Sequence, residues 1–80
     1  MTIIEACRIR IEELCAERSI TINKLAIISG IAQSTLNNVA SGRNKSMTVS
    51  TIKKICDGLE ISILYFFSAE IFSSLEQEII

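Results

Sequence analysis

The sequence predicts an all-α fold, a compact bundle of about five short helices. Three observations carry this. Apolar residues recur at helical spacing in segment after segment, strand-type alternation runs nowhere over a useful length, and hydroxyl residues and glycines punctuate the chain where helices would start and stop. In Ile3–Arg18, Ile4, Cys7, Ile11, Leu14 and Cys15 form one stripe, with Glu5, Arg8, Glu12 and Glu13 elsewhere around the wheel. Thr21 caps a second short helix through Leu25, Ala26 and Ile28, which Gly30 ends. A third runs from about Ala32 or Gln33 to Ser41, with Gly42 placed for a left-handed finish. A fourth starts at Thr48 or Ser50 and turns Ile52, Ile55, Cys56 and Leu59 inward. Ser62 caps a fifth, carrying Leu64, Tyr65, Phe66 and Phe67, and Ile71–Gln77 adds a frayed turn or short sixth helix.

Eighty residues make one domain, and 49% apolar against 21% charged residues argues against disorder. The three cysteines (Cys7, Cys15, Cys56) are odd in number and lie in apolar contexts, so they read as buried and reduced, which suits a cytoplasmic protein. Histidine is absent and no CxxC pair exists, so no metal site is expected. Without histidine, a glycine-rich phosphate loop or a metal cluster, neither an enzyme nor a cofactor is expected. The charged N-terminus is no signal peptide, and the apolar uncharged run at residues 61–69 is too short to span a membrane. An end near residue 80 leads us to expect no ligand-sensing or protease domain after it, and no small-molecule ligand is evident.

The net charge of −1 conceals a segregation. Residues 1–17 carry four glutamates and two arginines, −2. Residues 18–56 carry six bases and no acid, +6; residues 57–80 carry five acids and no base, −5. The middle third is a positive island, suited to a polyanion. Within it lies "GIAQSTLNNVASGRNKS", residues 30–46, with four amides, four hydroxyls and no carboxylate.

Read as two helices and a tight turn, Ile22–Asn37 makes sense of that composition. The small Ala26 allows close approach, Gly30 supplies a positive φ, Ile31 plugs the turn, and Leu36 and Val39 fasten the second helix. Gln33, Ser34, Asn37, Asn38 and Ser41 then share the opposite face. Amides and hydroxyls suit base edges, and a carboxylate there would repel phosphates.

The stretch "TINKLAIISGIAQSTLNNVASGRNKSMTVSTIKKICDGLEISILYFF" resembles the phage-repressor and Cro type (xenobiotic-response-element-like) helix-turn-helix family. The match covers essentially Ile3 to Phe67 and includes Ala26, Gly30, Ile31, Leu36 and Val39. The resemblance implies a lambda-repressor-like bundle whose helices two and three form the helix-turn-helix, with helix three in the major groove of double-stranded DNA. It implies that Gln33, Ser34, Asn37 and Asn38 read bases, that Thr35 touches phosphate, and that Thr21 and Asn23 set helix two on a phosphate. Arg43, Asn44 and Lys45 would clamp the backbone, and Lys24 is a weaker candidate. Three positions depart from the pattern: Ile22 stands where many relatives carry glutamine or another polar residue, Ala32 cannot cap helix three, a loss of about 1 kcal/mol, and Glu60 stands where a helix-ending glycine is common. Lys53 and Lys54 read as solvated.

The domain is expected over residues 1–70, with 71–80 a short apolar and acidic extension. Tyr65, Phe66, Phe67, Ile71, Phe72, Leu75, Ile79 and Ile80 exceed what one small core covers, which predicts a homodimer contact; the other reading folds the tail back on helix one. The expected function is a sequence-specific transcriptional regulator, a repressor by preference. The alternative is a protein-interaction module or antitoxin, using the same scaffold to hold a protein partner.

Overall fold

In a computed structural model, residues 1–79 are described. They form five α-helices in the order α1 (Ile3–Arg18), α2 (Ile22–Ser29), α3 (Gln33–Ala40), α4 (Val49–Leu59) and α5 (Ile63–Phe66), followed by a 3-10 turn at Glu70–Ser73. No strand occurs among the described residues. α2 lies at the centre, packed on α4 and α3, while α1 crosses α2 and α3 and meets the 3-10 turn.

Four helices start on a hydroxyl. Thr2, Thr21, Thr48 and Ser62 each accept from the backbone N–H three residues on, and Thr2 with Glu5 completes a reciprocal capping box. Three helices finish alike. Ser19, Gly30 and Glu60 take the left-handed conformation after α1, α2 and α4. The next residue, Ile20, Ile31 or Ile61, then donates its N–H to the carbonyl five back and lays its side chain against the core.

The core joins Cys7, Ile11 and Leu14 of α1, Leu25 and Ala26 of α2, Leu36 of α3, Ile55, Cys56 and Leu59 of α4, and Phe66 of α5. Each large apolar side chain so buried contributes about 1.5–3 kcal/mol relative to exposure. The cysteines are free and buried, and burial pushes the Cys7 thiol up to about 11.

Four details add to the sequence expectations or decide between them. Ile28 is not a core residue; it is 39% exposed, and Ser29, one position on, takes the buried place beside α4. Of the frayed turn and the short sixth helix expected over Ile71–Gln77, the structure has the turn, a 3-10 turn at Glu70–Ser73 with residues 74–79 irregular. Arg10, absent from every functional or core reading, is 5% exposed: its Nε donates to the Phe66 carbonyl at 2.8 Å, its Nη2 to that of Tyr65 at 2.9 Å, and Nη1 pairs with Glu13. The apolar tail is largely used within the chain. Phe66 is fully buried, and Phe67 and Phe72 stack edge-on with centroids 4.9 Å apart against the core. The segment beyond then returns to α1, where the Glu76 N–H donates to the Met1 carbonyl and the Ile3 N–H to Glu78 Oε2. Tyr65 and Ile79 stay exposed, Ile71 and Leu75 are half-buried, and Ile80 lies outside the described residues. The apolar surface left on α5 is Ile63, Leu64 and Tyr65, with Leu64 84% exposed.

Candidate nucleic-acid interface

The turn between α2 and α3 fixes their relation. Gly30 has φ 68°, and the Ile31 N–H closes on the Ala26 carbonyl at 3.0 Å. Leu36 and Val39 bury one side of α3. Gln33, Ser34, Thr35, Asn37, Asn38 and Ser41 are all exposed. The amide-rich face inferred from spacing is therefore an outward face.

α3 alone among the five helices begins without a capping side chain, because Ala32 has none to offer. Its first-turn N–H groups, on exposed Gln33, Ser34 and Thr35, keep their donor capacity and the positive end of the helix dipole. Thr21 is committed to capping α2 by accepting from the Lys24 N–H at 3.0 Å, yet its own hydroxyl proton remains to donate. Asn23, two residues along, binds across to α3: Asn37 Nδ2 donates to Asn23 Oδ1 at 2.8 Å.

Beyond α3 the loop is built by Asn44. Its backbone N–H donates to the Asn38 carbonyl at 3.0 Å, and its Oδ1 accepts from the Ser46 N–H and hydroxyl. Asn44 therefore shapes the loop first, with its Nδ2 left to donate. Gly42, at φ 82°, sits against the Arg8 guanidinium, whose Cζ lies 3.4 Å from where a Cβ would be. Arg43 and Lys45 project from this turn, exposed, and form no ion pair with a carboxylate among the described residues. Lys24 and Lys54 are likewise exposed and free of such pairs, whereas Lys53 pairs with Asp57 one turn along α4.

Arg8 is the neighbour that sequence reasoning missed. It comes from α1, 34 positions before Gly42, and no local spacing signals that approach. Arg8, Gly42, Asn44 and Lys45 form part of the wall of a cleft of about 490 Å³, which Glu5 and Glu78 also line. The Glu5 carboxyl is held below its ordinary range because it accepts from the backbone and hydroxyl of Thr2. An anion approaching the loop thus meets the cations Arg8 and Lys45 together with the carboxylates Glu5 and Glu78. The cleft marks an edge of the positive surface.

Of the ten sequence-derived site residues, Thr21 and Asn23 of α2 lie with Gln33, Ser34, Thr35, Asn37 and Asn38 on the helix-turn-helix, joined by the Asn23–Asn37 bond. Arg43, Asn44 and Lys45 follow in the loop tied to Asn38. The arrangement offers amides and hydroxyls in the middle and cations at the margin. That is a surface for a grooved polyanion.

Residues 10–64 match the family described as the Cro/C1-type HTH DNA-binding domain. The chain is 33% identical over 52 residues to the uncharacterized HTH-type transcriptional regulator RghRB of Bacillus subtilis (strain 168), covering 65% of this chain and 37% of that protein. It is also 33% identical over 69 residues to the SPbeta prophage-derived uncharacterized HTH-type transcriptional regulator YopS of the same organism, covering 84% of this chain and 93% of that one. The chain thus spans little over a third of the first relative and nearly all of the second. No solved structure matches.

Proposed function

The chain belongs to the Cro/C1-type helix-turn-helix DNA-binding family, and from that premise we propose that it is a sequence-specific transcriptional regulator, a repressor acting as a homodimer. The observation that carries the reading is the carboxylate-free outer face of α3, with Gln33, Ser34, Asn37 and Asn38 outward and Arg43 and Lys45, without an ion pair among the described residues, beside it. α3 enters the major groove. Its amides contact base edges, Thr35 and the α2 start at Thr21 contact phosphate, and the 43–45 loop clamps the backbone. Both relatives are named as transcriptional regulators, which supports carrying that role to this chain. Excluding polymerase from an occupied promoter needs no surface beyond the DNA interface, so repression is the simpler outcome.

A single domain covers few base pairs, and two copies on a pseudo-palindrome double the contacts. The exposed Ile63, Leu64 and Tyr65 of α5 supply the two-fold contact. In this reading residues 1–70 are the DNA-binding domain and 71–80 brace α1.

Selection of binding sites from random DNA at two salt concentrations tests the function. A pseudo-palindrome with steep salt dependence is the expected result. Retention of every DNA sequence alike, or of none, overturns it. Replacing Asn37 and Gln33 together with alanine should abolish operator retention; if this double variant loses a protein partner instead and keeps DNA, the interaction-module reading replaces this one.

A further inference from the structure

We propose that Asn23 is a positioning residue that acts through Asn37, holding its carboxamide so that Asn37 selects adenine. The inference rests on the groove reading above and deepens it. Asn37 Nδ2 donates to Asn23 Oδ1 at 2.8 Å, from α3 to α2 across fourteen positions. Both side chains are exposed and neither belongs to the core, so the bond lies on the outer surface shared by the two helices.

A carboxamide carries one acceptor oxygen and two N–H donors on opposite sides of a near-symmetric plane. On an exposed helix it rotates freely between two presentations, one the reverse of the other. The bond to Asn23 selects one of them. It turns Nδ2 toward α2 and leaves Asn37 with its Oδ1 and a second N–H, neither held by another described group. Adenine offers a matching pair in the major groove, an N6 donor and an N7 acceptor. Guanine offers two acceptors there, and its O6 would face Oδ1 with lone pairs opposed. Cytosine offers only its N4 donor, satisfying one half of the pair.

The second amide then has its own use. Asn23 spends its oxygen on Asn37 and retains both hydrogens of Nδ2, next to the Thr21 cap where α2 begins. A phosphate bound there and a base read by Asn37 are linked through one hydrogen bond. Base selection is coupled to the seating of the backbone.

The position read by Asn37 is the one whose preference disappears in Asn37→Ala. At that position the wild type is expected to choose adenine, and Asn23→Ala to lower the adenine-over-guanine ratio by about ten-fold, within the range one bidentate contact supports. Asn23→Asp keeps the accepting oxygen but removes the donors and adds charge beside phosphate, so it should weaken all sequences while keeping the adenine preference. In the free protein, the donated side-chain amide proton of Asn37 should move upfield in Asn23→Ala, where the bond is lost, and downfield in Asn23→Asp, where a carboxylate accepts it, with melting temperatures showing both variants folded. Guanine at this position, or an Asn23→Ala variant that weakens all sequences equally, overturns the proposal while leaving the DNA function standing. A wild type without sequence preference overturns both, and is told apart by that control.

Discussion

Arg10 sits on the stripe that runs Cys7, Arg10, Leu14 along α1, and it is buried there because two carbonyls of α5 and the Glu13 carboxylate satisfy its guanidinium. Its Cζ also lies 5.1 Å from the Tyr65 ring centroid. Arg10→Met should lower stability by about 2 kcal/mol in urea unfolding, chiefly by leaving the Phe66 carbonyl buried without a donor. The cysteines make a second prediction at this scale. With the Cys7 thiol near 11 and Cys15 and Cys56 also pushed up by burial, a thiol reagent at pH 8 should label the folded protein at least about 100-fold more slowly than the unfolded chain. A folded pKa raised above the ordinary thiol value means that stability is unaffected below about pH 9 and falls between there and about 11. Such details were partly legible in the sequence. Position 10 falls on the 7–10–14 spacing, so a charge on the apolar stripe was itself the signal. Positions 22, 25, 26 and 29 likewise form one stripe, and that spacing leaves Ile28 off it. The amide face was legible because Leu36 and Val39 fix the rotation of α3 without help from outside. The approach of Arg8 to Gly42 and the Asn23–Asn37 bond were not, since both depend on how helices distant in sequence settle.

The elements share one way of stopping. α1, α2 and α4 end on the same left-handed residue followed by an isoleucine that plugs the end, but only α2 uses glycine for it. Ser19 and Glu60 adopt positive φ at a steric cost of about 1–2 kcal/mol, and Glu60 also places a carboxylate at the negative end of α4. Glu60→Gly should therefore stabilise the fold by about 0.5–1 kcal/mol after the added freedom of the unfolded chain is counted, read as a higher urea midpoint at unchanged slope. Gly58 demands the opposite. A Cβ there would fall 2.5 Å from Ser29 Oγ and 2.9 Å from the Ile28 carbonyl oxygen, so α2 and α4 could not keep their contact. Gly58→Ala should cost about 1–3 kcal/mol despite alanine's better helix propensity. Thermal melts would check it, with each kcal/mol moving the midpoint by about 4–8 °C in a domain of this size.

Across the whole molecule, charge is sorted by position more than by amount. The acid-free stretch forms the helix-turn-helix and its loop, while the acidic tail returns to the start of α1, where Glu76 meets the terminal ammonium at 3.0 Å and Glu78 meets the Ile3 N–H. Lys45→Ala should reduce the slope of log affinity against log salt by about one unit, the share of one phosphate contact, and should leave base preference unchanged in a filter-binding series. α5 has only four residues and no independent stability. Its outward Leu64 and Tyr65 are held in place by the Arg10 tether to the Tyr65 and Phe66 carbonyls. If two copies meet through that helix, the tether acts as a ruler: it sets the pitch at which two reading heads land on one duplex. Loosening it should blur the tolerated gap between half-sites before it dulls recognition of either one.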